Sequence, residues 1–327
     1  MTGLGAGLLA AIAIAVAGPA TSPEYLPLQV AQAAGYFTQE KLEVTLKVER
    51  SEADAARALA RGHADIAATS LDAAYRLGHV EGAPPLLVFG LTAAPPVAIV
   101  VSPLHKDTLH SPAELRGQTV GLPGVGTPEQ AMLETILARA HVRIHQVPIR
   151  SYGTRALEGA LARGEVAAAV MVDPSITRVV DDGTGSILVD LRRRADAARW
   201  LGADTVYAAL FVRAGSRIGE PDRTALARAL LRGVARVSEA KPEELLAMLP
   251  VSVTGTPEDF RARVEGARQS YLPGGLVTVD MLTASIEQSR SRTPFPSALK
   301  LPWFSWSDLL RMTPLPRATG TEAPPPR

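Results

Sequence analysis

The chain has 327 residues, 46% of them hydrophobic and 20% charged, and its 34 basic and 33 acidic side chains leave a net charge of +1. That length suits about two domains with full cores, and so even a charge balance offers no basic face for nucleic acid. There is no cysteine, which excludes disulfides, thiolate catalysis, cysteine-bound zinc and a lipoprotein anchor.

Leu8 to Ala17 is small and apolar, and Ala15-Val16-Ala17 has the form of a signal-peptidase site. No Lys or Arg precedes it, as a secretory signal requires, so Ile12 to Ala17 is read as the first strand, with an atypical or truncated signal abutting the domain as the alternative. Ser22 is placed to cap a helix with Pro23 at its first position and Glu24 near its positive end. Leu26, Val30, Ala33 and Ala34 give that helix an apolar stripe, closed by Gly35. Glu43 to Val48 alternates as a strand, Glu52 to Arg61 is a helix ended by Gly62, and Asp65 to Ala68 is a short buried strand. Leu71 to Leu77 is a helix broken at Pro84-Pro85, and Leu86 to Leu91 and Val97 to Val101 are strands, the second crossing between lobes.

Ser111-Pro112-Ala113-Glu114 opens a short helix with a capping box. Then follow a strand at Thr119 to Leu122, a helix at Pro128 to Ala140, a strand at His145 to Ile149, a helix at Ala156 to Arg163, and strands at Val166 to Val172, Ser186 to Asp190 and Val206 to Arg213. The last is expected to return to the first lobe. Arg192-Arg193-Arg194 reads as a solvated helix face. From Pro221 only helices follow, at 221–240, 243–248, 257–271 and 279–290. Trp303 and Trp306 are expected to pin down an irregular segment, and the Pro-rich polar tail, 312–327, to be disordered.

Two stretches repeat each other. Ala58-Leu59-Ala60-Arg61-Gly62 recurs as Ala160-Leu161-Ala162-Arg163-Gly164, 102 positions on, and Ser22-Pro23-Glu24 recurs as Thr127-Pro128-Glu129, 105 positions on. Each member of a pair stands in the same relation to a strand. Two similar α/β units follow, and a cleft between such units is where small ligands bind.

The segment Leu26 to Phe37 with Leu42-Glu43-Val44 resembles the opening of bacterial ABC-transporter substrate-binding proteins of the nitrate, sulfonate, taurine and thiamine-precursor branch. Ala58 to Ala67, Ser111 to Gly121 and Gly164 to Thr177 resemble further segments of that family in the same order. The resemblance covers about residues 12 to 290. It implies an α/β, two-lobed periplasmic-binding-protein fold of type II, with lobe I from 1–100 and 206–311 and lobe II from 101–205. It implies a monomeric periplasmic receptor, not an enzyme and without cofactor or metal, that closes on a small-molecule solute and hands it to an ABC permease in the inner membrane.

By position in the family, the ligand-binding residues are Ser22, Pro23, Glu24 and Tyr25; Thr69, Ser70 and Leu71; Val97 at the crossing; Gly124, Val125, Gly126 and Thr127; and Asp173 and Pro174. Taken alone, the Ser/Thr-Pro-Glu caps are helix starts, since the formula recurs at Thr256-Pro257-Glu258. The Gly124 to Thr127 loop lacks the third Gly of a dinucleotide fingerprint and the Gly-Lys-Ser/Thr of a P-loop. His141 and His145 share a metal-like spacing, but Val-Arg-Ile between them and an expected strand make it accidental.

Val172 stands where the family often has Trp. Glu24 and Asp173 toward the cleft oppose a bare anion, while Arg155 could supply a cation. A sulfonate, nitrate and a neutral or cationic heterocycle stay open. A thiamine-pyrimidine-synthase-like enzyme and a ligand sensor are the alternatives on the same fold. The enzyme would need a cysteine-rich segment and a His in the cleft, and the chain has neither at the expected loops.

Overall fold

A computed structural model describes residues 11–81, 85–125 and 127–292. The segment carrying Trp303 and Trp306, and the tail 312–327, lie outside the described residues. The strands are β1 (Ala11–Val16), β2 (Glu43–Val48), β3 (Ile66–Ser70), β4 (Pro85–Thr92), β5 (Val97–Val101), β6 (Val120–Leu122), β7 (Ile149–Ser151), β8 (Ala168–Val172), β9 (Ser186–Asp190) and β10 (Ala208–Arg213). They form two five-stranded sheets, ordered β2-β1-β3-β10-β4 and β7-β6-β8-β5-β9. The orders are equivalent, with β1 matching β6, β3 matching β8, and β10 matching β5, so the internal repeat is a structural duplication.

In each sheet one strand runs against its neighbours. β10 is antiparallel to β3 and β4, and β5 is antiparallel to β8 and β9. These two strands enter their sheets from the other lobe. Val97, the first residue of β5, already pairs with Val172, so the chain has crossed by residue 97, through 93–96. Parallel strands with helices on both faces are apolar throughout. β1 sits between β2 and β3, and Ile14, Ala15 and Val16 on it are fully buried, which accounts for its signal-like composition. Among the described residues no helix is long and apolar enough to cross a membrane.

The first sheet is covered by Leu26–Ala33 and by the 20-residue helix Glu220–Glu239, and shares its core with Phe260 and Val264 of the helix Pro257–Ala267. The second has its own core, including Leu122, Leu133, Ile136 and Val170. The lobes also touch through Arg178 on Ser175–Asp181, whose guanidinium lies 2.5 Å from Glu158 in its own lobe and 3.1 Å from Asp259 in the other.

Several elements depart from the sequence reading. Ser22 does not cap an α-helix. Pro27 has no N–H to donate to Pro23, so the Leu26 amide bonds the Pro23 carbonyl in a 3₁₀ turn (Pro23–Tyr25), and the helix proper starts at Leu26. The strand expected at His145 to Ile149 is a 3₁₀ turn at Ile144–Gln146, where Gln146 accepts from the Arg143 amide at 2.9 Å. Pro148 cannot donate to a ladder, so β7 begins after it. Thr69 and Ser70 are not a turn: they extend β3, because Ala209 and Ala208 of the returning β10 pair with them. The helix Ser175–Asp181 was not anticipated, and of the three arginines read as a helix face only Arg194 lies in a helix, Arg194–Leu201.

Gly233 marks the closest helix packing. A Cβ there would lie 2.4 Å from the Pro27 carbonyl oxygen and 3.2 Å from Ala31 Cβ. Gly233→Ala gains helix propensity of about 1 kcal/mol but overpacks this contact at a cost of about 1–3 kcal/mol. The expected result is a lower urea midpoint with an unchanged slope; a raised midpoint would show that the helices can part without cost.

Candidate functional site

A cavity of about 900 Å³ lies between the lobes. It sits at the carboxyl ends of the parallel strands, where ligands bind in open α/β sheets. Helix starts converge on it: Ser51 to Ala53, Leu71 to Ala73, Thr127 to Ala131 and Thr154 all line its wall. The duplication places Glu24 and Glu129, at matched positions, on the two sides.

Of the residues singled out in the sequence, Ser22, Pro23, Glu24, Ser70, Leu71, Thr127, Asp173 and Pro174 line this cavity. Tyr25, Thr69, Val97, Gly124 and Val125 are not on its wall. Tyr25 and Thr69 are buried behind it, and the Thr69 hydroxyl donates to the Glu52 carbonyl at 2.9 Å. Val97 is buried in the second sheet, because the chain finishes its crossing at Pro95 and Pro96, which do line the cavity. Val125 is 73% exposed, and Gly126 lies outside the described residues. Arg155 is exposed and off the wall, whereas its neighbour Thr154 is on it. Among the described residues no cluster of His, Asp or Glu could hold a metal ion.

Glu52 and Arg192 were missed by sequence reasoning. Glu52 begins the helix Glu52–Ala60, with Ser51 accepting from the Asp54 amide as its cap. Its carboxylate accepts from Ser70 Oγ at 2.5 Å and from the Tyr207 hydroxyl at 3.5 Å. Burial, set against the Ser70 hydrogen bond, holds its carboxyl above the usual carboxylate range, so it ionises less readily. The duplication could have pointed to it, since Glu52 corresponds to Thr154 across the cleft.

Arg192 is no solvated helix face. Its side chain is 11% exposed, sits 3.0 Å from Asp173 and 2.9 Å from Asp190, and precedes the helix Arg194–Leu201. Burial pushes the Asp173 carboxyl up while Arg192 pulls it back toward ionisation. A Cβ on Gly266 of the opposite lobe would come within 2.9 Å of Asp173 Oδ2 and 3.2 Å of Arg192 Nη1. The missing side chain therefore lets the first-lobe helix pack directly on this ion pair.

Glu24 is the most constrained group. It is 7% exposed, and among the described residues its Oε2 has no hydrogen-bond partner. It also borders a small void of about 10 Å³ shared with Asp173, Arg192 and Ser270. Arg263, 4% exposed, fixes the loop before it by donating to the Thr21 and Thr254 carbonyls. The Tyr271 hydroxyl donates to the Pro23 carbonyl at 2.6 Å. Burial pushes the Glu24 carboxyl up from 4.5 to about 7, with the nearby Glu52 and Asp173 carboxylates adding to the effect.

Between those two values the folded protein holds a proton that the unfolded chain has released, so stability falls as pH rises from about 4.5 to about 7. Glu24→Gln removes this dependence. Its expected gain over wild type is nil near pH 4 and about 3 kcal/mol at pH 8, measured by chemical denaturation across that range. Parallel curves for the two proteins would show that Glu24 ionises freely in the fold.

The NMT1/THI5-like family profile matches residues 22–244. No curated protein matches the sequence. Among solved structures, a protein from Bordetella bronchiseptica RB50 is 22% identical with a TM-score of 0.71, over 93% of this chain and 97% of that one. A putative periplasmic sulfonate-binding protein from Methylobacillus flagellatus KT is 15% identical with a TM-score of 0.72, over 93% and 94% of the two chains. The periplasmic nitrate-binding protein of Synechocystis PCC 6803 is 13% identical with a TM-score of 0.61, over 93% and 88%. These likenesses identify the two-lobed fold as that of periplasmic binding proteins. With the family profile spanning more than half of its length, the chain belongs to the NMT1/THI5-like family.

Proposed function

We propose that this protein is the solute-binding receptor of an ABC importer: a monomer that closes its two lobes on a small organic or inorganic solute in the periplasm and presents it to a membrane permease. The observation that carries this reading is the 900 Å³ cavity between two duplicated lobes joined by crossing strands. Two lobes that share one cavity bind a solute most tightly when both touch it, so ligand shifts the population toward the closed form, and a partner can sense that form. The sulfonate-binding and nitrate-binding proteins of the same fold support the receptor class.

The wall chemistry fits binding rather than catalysis. Among the described residues lining the cavity there is no histidine, and the chain has no cysteine. The hydroxyls of Ser70 and Tyr207 are already engaged with Glu52, and no hydroxyl on the wall is hydrogen-bonded to a group that could serve as its histidine base. The ligand-binding roles proposed for Ser22, Glu24, Ser70, Leu71, Thr127, Asp173 and Pro174 rest on their place on this wall. Glu52, Glu129 and Tyr207 join them on the same ground.

Thr127 tests the second-lobe half of the site. It is half-exposed, and among the described residues its hydroxyl donates to the Gly124 carbonyl at 3.1 Å, so Thr127→Trp should fill cavity space while leaving the fold intact. In a thermal-denaturation screen against sulfonates, nitrate, pyrimidines and amines, the bound solute should raise the wild-type melting temperature by mass action. Thr127→Trp should melt within a few degrees of wild type and lose that rise. An unchanged response in the variant would remove the loop from the site, and no response to any solute in folded wild type would count against the receptor reading.

A further inference from the structure

The charges on the cavity wall are lopsided. Glu24, Glu52, Asp72, Glu129, Glu134 and Asp173 line it, against Arg50 and Arg76. Two of the acids have cationic partners: Asp72 lies 3.6 Å from Arg76, and Asp173 lies 3.0 Å from Arg192. Glu134 accepts from the Gln130 amide at 2.9 Å. The remaining three, Glu24 and Glu52 from the first lobe and Glu129 from the second, feel one another across the gap. Glu24 and Glu52 are coupled, and Glu129 acts on Glu52 and on the Tyr207 hydroxyl between them.

Helix N-termini favour anions, and four of them reach the wall. Each amounts to about half a positive charge, whereas Glu52, Glu129 and Glu134 each bring up to a full negative one, and Glu24, its carboxyl pushed up to about 7, adds to them as it ionises. Three of the four also carry an acid in their first turn, at Glu52, Asp72 and Glu129, which takes up their positive ends.

Resting on the receptor reading above, we infer that the solute is an organic cation, a protonated amine or amidinium, whose charged end lies between Glu24 and Glu52 of the first lobe and Glu129 of the second. A buried carboxyl oxygen without a hydrogen-bond partner is costly, and among the described residues Glu24 Oε2 is such an atom, on a residue that lines the cavity. An ammonium or amidinium N–H beside it supplies both the donor and the charge. The same cation removes the repulsion between carboxylates on facing lobes, so its binding favours closure, whereas a sulfonate or nitrate would add another negative charge to the gap. Tyr207, half-buried on the wall and bonded to Glu52, offers an aromatic ring for the stem or for cation–π contact.

The test is calorimetric titration of the full chain with putrescine and benzamidine as cations and with ethanesulfonate and nitrate as anions, at constant ionic strength because screening weakens such pairs. A cation should bind saturably, and Glu52→Gln and Glu129→Gln should each weaken it about tenfold or more. Glu129 stands half-exposed in the first turn of its helix, so Glu129→Gln keeps the fold even if the more buried Glu52→Gln does not, as circular dichroism will check. Cation binding that survives Glu129→Gln undiminished overturns the inference, as does the failure of both cations to bind. Saturable binding of ethanesulfonate or nitrate would overturn the charge assignment alone and leave the receptor standing.

Discussion

The whole site depends on two strands that run the wrong way. β5 enters the second sheet at the end where β8 stops, and β10 enters the first where β3 and β4 stop. Because β4 passes into β5 through residues 93–96 alone, and β10 returns with its first residue beside the ends of β3 and β4, the carboxyl ends of the parallel strands face the gap. Everything the strands deliver at those ends, whether helix starts, Pro-bearing turns or the residue after the last ladder bond, is thereby brought to one cavity. The duplication makes this reciprocal: each lobe presents the other with the same kind of edge.

Such a geometry concentrates polar groups where water is scarce, and the protein manages each of them differently. Asp173 is neutralised by Arg192, which Asp190 holds in turn. Glu52 is given hydroxyl donors by Ser70 and Tyr207. Arg263 spends its guanidinium on carbonyls of the loops at Thr21 and Thr254 and so fixes where Glu24 stands. Glu24 itself is left with a buried oxygen that no described residue satisfies. A stability cost retained at a cavity wall is the signature of a group kept for something other than folding.

The interface between lobes is polar as well as close. Arg178 pairs with acids on both lobes, and Gly266 clears space for the Asp173–Arg192 pair against a first-lobe helix. A partly exposed ion pair such as Arg178–Asp259 contributes little on its own and can be exchanged for contacts with water when lobes part. An interface built from such pairs permits opening and closing in a way that a large apolar one would not.

Much of this was legible in the sequence, because it follows from local rules. Apolar runs bounded by Gly and Pro located nine of the ten strands, and the repeated Ala-Leu-Ala-Arg-Gly and Ser/Thr-Pro-Glu segments disclosed the two units and put Ser22, Glu24, Thr127 and Asp173 at their facing edges. The failures have local causes that run against a pattern: Pro27 and Pro148 lack the N–H that a helix start and a strand would need. What the sequence by itself determined is thus the succession of elements and the duplication, since periodicity, caps and breakers act within a few residues. Only the tertiary structure decided that Arg192 turns inward to Asp173, that Glu52 meets Ser70 and Tyr207, and that one carboxyl oxygen of Glu24 is buried with no partner among the described residues. Each of those outcomes depends on which groups from distant parts of the chain share one poorly solvated space, and charge energies are set by that neighbourhood and not by residue type.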